Sequence, residues 1–171
     1  MKTQKTMNNK INIELASLDE TQPPQEESEI KKTAEKILEN LLKMSEIQKG
    51  SPIFNYEFNT LNFELSFCND ETIHQINKEY RQKDRPTDVI TFALFCDDKN
   101  SIMYDNTIEL GEIIISTQTL ERQAQENNHS KEREMYTLIT HGILHLLGFD
   151  HLEQKDYDFV VSVQNKIVEN L

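Results

Sequence analysis

The chain contains no tryptophan, and aromatic residues make up only 8% of its 171 residues. An extended aromatic platform for stacking a nucleic-acid strand is therefore excluded. Cys68 and Cys96 are the only cysteines. They are spaced unlike a metal knuckle and read as reduced core residues of an intracellular chain, not as a disulfide framework. No apolar run is long enough to span a bilayer, and Met1 to Lys10 is too polar for a secretory signal. The expectation is a cytoplasmic protein with no membrane partner. Positive charge is also scarce, with 18 Lys and Arg against 30 Asp and Glu and a net charge of −12. That balance argues against general electrostatic coating by nucleic acid. One stretch runs the other way: Lys78, Arg81, Lys83 and Arg85 outnumber Glu79 and Asp84, and a phosphate could be met there.

Against these absences stands a concentration of histidine. Three of the five histidines fall in His141-Gly142-Ile143-Leu144-His145-Leu146-Leu147-Gly148-Phe149-Asp150-His151. Residues four apart share a helix face, so His141 and His145 can address one centre. Gly148 can take the left-handed conformation that closes a helix, turning the chain so that His151 returns toward the pair. Three neutral ligands on a tetrahedral ion leave a fourth position for water, the pattern of a catalytic zinc site. The same scaffold occurs in metzincin proteases, which place a glutamate after the first histidine. Here that place is Gly142, so the general base of that peptidase mechanism is missing.

The length suits one domain, read as a flexible polar tail over 1–9 and a single domain over 10–171. Alternation predicts strands at Ile11–Leu15 and Leu61–Phe67, and further strands at Val89–Leu94 and Glu112–Ile115. Helical spacing predicts helices over Glu29–Met44, Glu71–Arg81 after an Asn69-Asp70 cap, Thr117–Asn127, a histidine helix capped by Ser130, and Gln154–Val168. The histidine helix is apolar nearly all round and should lie buried across the sheet. Elements in this irregular order point to an α+β fold: one mixed sheet of about four strands packed by about five helices. The metal cleft would lie between the buried helix and the loop after it. His74 reads as an ordinary helix residue.

The histidine run resembles the hallmark of the YbeY endoribonucleases, or rRNA maturation factors. The stretch from Asn77 to Phe92, NKEYRQKDRPTDVITF, is similar to that family's second signature, and Leu110-Gly111-Glu112-Ile113 to its third. Three departures are mild: Thr91 for serine, Glu112 for aspartate and Phe149 for tyrosine. The resemblance implies a metal-dependent, single-strand-specific RNA hydrolase acting in late 16S rRNA 3′-end maturation and ribosome quality control. Its partners would be single-stranded rRNA and the small ribosomal subunit or ribosome-associated proteins. It implies one divalent ion per chain, Zn2+, held by His141, His145 and His151, with Arg81 as the catalytic arginine. A guanidinium suits that role because its planar fork matches phosphate oxygens. Lys78 and Arg85 are candidate substrate contacts. Asp88 and Asp150 are candidate partners for the ligands' outer N–H groups. Two alternatives remain at this point: a ribosome-assembly binding factor with a mainly structural metal, and a zinc metallohydrolase, metzincin-like or otherwise, of another substrate class.

Overall fold

The computed structural model describes residues 9–98, 103–150 and 153–171. Four strands, β1 (Lys10–Ser17), β2 (Thr60–Cys68), β3 (Val89–Phe92) and β4 (Thr107–Ser116), form one sheet in the order β1-β2-β4-β3. β2 runs parallel to both β1 and β4, whereas β3 is antiparallel to β4. The sheet is therefore mixed, with β1 and β3 at its edges. Among the described residues seven α-helices and one 3-10 turn, Pro52–Asn55, accompany it: α1 (Glu27–Leu42), α2 (Ser45–Gly50), α3 (Asp70–Arg81), α4 (Leu94–Asp97), α5 (Thr117–Glu126), α6 (Lys131–Leu146) and α7 (Gln154–Glu169). The five expected helices are present. The two extra ones, α2 and α4, are too short to show an amphipathic period. The expected polar tail falls on residues 1–8, outside the described residues, and on residue 9.

Side-chain alternation gives the sheet two unlike faces. On one, Leu61, Leu65, Phe67, Ile113 and Ile115 pack with Ile30, Ile37, Leu38 and Leu41 of α1, Ile139, Ile143 and Leu144 of α6, and Val160 and Ile167 of α7, all buried. The other face is covered only in part. There Cys68, Ile73, Ile90 and Ile114 form a small cluster that seats α3. Further across, that face is polar. Asn12 donates to Asn62 at 2.8 Å, Asn62 donates to Glu109 at 2.6 Å, and Glu14, Glu64 and Glu112 stand in one lateral row.

A bulge sets the phase of β4. Asn62 pairs with Glu109 and Phe63 with Gly111, so Leu110 is the extra residue. Before the bulge Ile108 and Leu110 face the main core; after it Ile113 and Ile115 do. Only glycine suits the position, because Gly111 has φ 137° and a Cβ there would lie 1.9 Å from the Phe92 carbonyl oxygen. The strand expected from Glu112 therefore starts earlier, at Thr107, because Gly111 marks an interior bulge and not the strand's entry.

Helix ends are held by side chains. Asn69 caps α3 by accepting from the Thr72 amide at 2.9 Å. Asp19, on the loop after β1, accepts from the amides of Thr21 and Asn69 and from the Thr72 hydroxyl at 2.7 to 2.9 Å. Burial opposes ionisation of Asp19, but these donors outweigh it and hold its pKa down at about 2. Asp70, at the first position of α3, accepts from Ser116 and Thr119 at 2.6 Å and from Arg122 at 2.7 Å, tying α3 to α5.

Candidate active site

α6 begins at Ser130, whose hydroxyl accepts from the Arg133 amide at 3.1 Å, and runs buried against β4 and β3. Gly142 is the point of closest approach. A Cβ there would lie 2.7 to 2.9 Å from three side-chain carbons of Ile113, so no side chain fits without displacing the buried Ile113 side chain. This gives the absent glutamate a structural reason: the position after His141 faces the sheet, and not the histidines.

His141 and His145 lie one turn apart with ring centroids separated by 4.6 Å and planes tilted by 39°. Both are half-buried, and Nε2 of His145 is buried. Nδ1 of His141 lies 3.2 Å from Oε1 of Gln164 on α7. An amide oxygen only accepts, so Nδ1 is the donor here, and in the neutral ring that tautomer leaves Nε2 as the nitrogen that can ligate a metal. Gln164 is not among the residues that the sequence singles out for this role, which are Asp88 and Asp150. The readable signal was a polar residue four past Val160, on the apolar stripe of its helix.

α6 closes as expected. Gly148 has φ 94°, its amide donates to the His145 carbonyl and the Phe149 amide donates to the Leu144 carbonyl, both at 2.9 Å. This double bond pattern is the Schellman motif. A Cβ on Gly148 would also press on Pro52 at 2.9 Å. His151, the expected third ligand, lies outside the described residues. Among the described residues no group of three or more His, Cys, Asp or Glu side chains could hold a metal ion. The residues that are described fit one in their chemistry: two imidazoles on one rigid face, one oriented by an amide oxygen, suit Zn2+ or a similar ion.

Arg81 ends α3. Its Nη2 donates to the Thr91 carbonyl of edge strand β3 at 3.4 Å, and β3 also packs against α6. The helix of the histidine pair and the arginine therefore share one short strand. The turn beneath Arg81 is fixed by buried Asn77, whose amide donates to the Arg85 carbonyl at 2.8 Å, while its own carbonyl accepts from the Gln82 and Lys83 amides. Gln82 takes the left-handed conformation, φ 57°.

The other candidates are placed differently. Lys78 is exposed and bonds Asp84 at 3.2 Å, and His74 meets the same carboxylate at 2.7 Å. His74 and Lys78 together hold the Asp84 carboxyl below its ordinary range. Arg85 is exposed on the same turn. Asp88 accepts from the Val89 amide at 2.7 Å and from Gln123 at 3.2 Å, joining the start of β3 to α5. Asp150 is exposed and immediately precedes His151 in the chain. Glu112 accepts from Ser66 at 3.0 Å. Burial, and then the charge of Glu64, raise its pKa. It points away from the Ile113 face, and so away from α6.

The family model described as Endoribonuclease YbeY matches residues 15–171. A Heliobacterium modesticaldum protein named Endoribonuclease YbeY is 38% identical over 163 residues, covering 92% of this chain and 95% of that one. A protein of that name from Listeria monocytogenes is 35% identical, covering 92% and 94%. With the Prochlorococcus marinus protein of that name identity is 42%, over 65% of this chain and 59% of the relative. The solution structure of TM1509 from Thermotoga maritima superposes with a TM-score of 0.55 at 28% identity, over 92% of this chain and 87% of that one. The matched range contains the histidine helix, the glycine that closes it and the Arg81 corner, and the chain belongs to the Endoribonuclease YbeY family.

Proposed function

We propose that the chain is a metal-dependent endoribonuclease that hydrolyses phosphodiester bonds in single-stranded RNA. The observation that carries this reading is the pairing of two adjacent imidazoles on α6 with an arginine clasped to the strand beside that helix. His141 and His145, with His151 as third ligand, would hold one Zn2+. Held there, such an ion would supply Lewis-acid activation of a phosphate oxygen or of the attacking water, whose pKa it would lower toward neutrality.

The chain's own groups supply the rest. Gln164 holds the proton on Nδ1 of His141 and fixes the ring plane. Arg81 spends one N–H on a neutral carbonyl at the long distance of 3.4 Å, so exchanging that contact for a phosphate oxygen costs little. Its fork then positions the phosphate and stabilises charge that builds on it. The acidic surface elsewhere repels RNA and confines binding to this corner. In the cell the protein would act in the cytoplasm, with rRNA of the small ribosomal subunit as substrate, in late 16S rRNA 3′-end maturation and ribosome quality control. No described helix is long and apolar enough to cross a membrane.

The test incubates metal-loaded protein with single-stranded and duplex rRNA fragments, beside His141→Ala, Arg81→Ala and a chelator control. Wild type should cut single strands alone, and chelation should stop it. Arg81→Ala should retain metal and lose at least a hundredfold in rate, the scale of one lost donor to developing charge. Cleavage that survives His141→Ala sinks the metal mechanism. Binding without cleavage would favour an assembly factor instead.

A further inference from the structure

Tyr80 precedes Arg81 at the end of α3 and is 63% exposed. Its ring is nevertheless fixed. It meets Phe92 edge to face, with centroids 5.4 Å apart and planes at 76°, and Phe92 is itself packed against the Ile73, Ile90 and Ile114 cluster. Tyr80 thus rests on Phe92 and Arg81 on Thr91, successive residues of β3 whose spacing along the strand is about 3.4 Å. The Asn77 bonds hold the turn under both. An aromatic ring that is open to solvent, held by its neighbours and set beside an arginine has the chemistry of a nucleotide contact. The fork takes the phosphate, and the ring takes the face of a base.

We propose that Tyr80 is the stacking platform for one unpaired nucleobase of the RNA strand whose phosphate Arg81 holds. The inference rests on the RNA reading above and adds to it a cause for single-strand preference. A base inside a duplex is covered on both faces by its neighbours and cannot lie on the ring, whereas an unpaired base can. At the Arg81 corner this one ring offers a single step of stacking and leaves sequence largely unread.

The experiment measures anisotropy of a labelled single-stranded oligoribonucleotide, and of the same strand with one abasic ribose moved position by position. It uses wild type, Tyr80→Phe and Tyr80→Leu. Tyr80→Leu keeps an apolar contact with Phe92, and its melting curve controls for folding. Tyr80→Phe should bind within about twofold of wild type, while Tyr80→Leu should bind roughly ten- to a hundredfold more weakly. An abasic site at one position should cost wild type the same factor and cost Tyr80→Leu nothing. Wild-type affinity in a folded Tyr80→Leu, or a loss spread evenly over all abasic positions, overturns the platform. If wild type cuts the RNA while Tyr80→Leu binds normally, only this inference falls. If wild type binds with the abasic pattern but does not cut, the hydrolysis falls and the platform stands. If wild type binds no single strand, both fall.

Discussion

At the scale of single residues, the unexpected participant is Gln164. The spacing of the histidines could be read along the chain because i and i+4 share a helix face. Their partner could not, since it depends on how α7 lies across α6. Asp88, a carboxylate candidate for that role, is engaged by Val89 and Gln123. The amide has the advantage of neutrality: it fixes the tautomer of His141 without adding charge to the site. Replacing Gln164 by Leu should therefore lower metal affinity about 10- to 100-fold, the usual effect of losing such a partner, with little change in folding. Titration against a competing chelator reads this directly, and an unchanged affinity would remove Gln164 from the role. Gly142 shows the opposite case. Its identity excluded a protease base from the sequence alone, but the reason for glycine, contact with Ile113, came only with the fold.

Among elements, long ones were legible and short ones were not. α1, α3, α5, α6 and α7 each present an apolar stripe over at least ten residues. α2 and α4 have six and four residues and exist because neighbouring segments hold them. The first half of β4 was hidden by a glycine that interrupts the alternation it belongs to. The expected strand Val89–Leu94 stops at Phe92, and the chain turns into α4 from Leu94.

The tie between β1 and α3 carries a pH dependence. The folded-state pKa of Asp19 is about 2, against 3.8 for the free side chain. A depressed carboxyl stabilises the fold above its unfolded pKa and loses that contribution as pH falls from about 4 to about 2. Urea midpoints of wild type and Asp19→Asn should therefore differ at pH 5, by about 1 kcal/mol for a lost charge-assisted bond, and converge toward pH 2. Parallel curves over that range would contradict the assignment.

For the molecule as a whole, the fold class followed from the order of its elements, and the sheet order β1-β2-β4-β3 did not, because pairing between distant strands leaves no mark in a single sequence. Charge is the property most visible at both levels. A net charge of −12 suits an RNA-handling protein only if contact is confined to one corner.

The same charge bears on β1. This strand has eight residues and lies at the sheet edge, with no further strand beside it among the described residues. A free edge of that length is a template for a second copy of the chain, and a route to aggregation. Exposed Glu14 at its middle and the mutual repulsion of anionic molecules oppose such templating. Ionic strength thus becomes a solubility switch: at about 1 M salt the Debye length shrinks to about 3 Å, and light scattering should detect self-association that is absent in dilute buffer. Glu14→Thr should associate at lower salt than wild type, and indifference of both proteins to salt would show that the edge is guarded by other means.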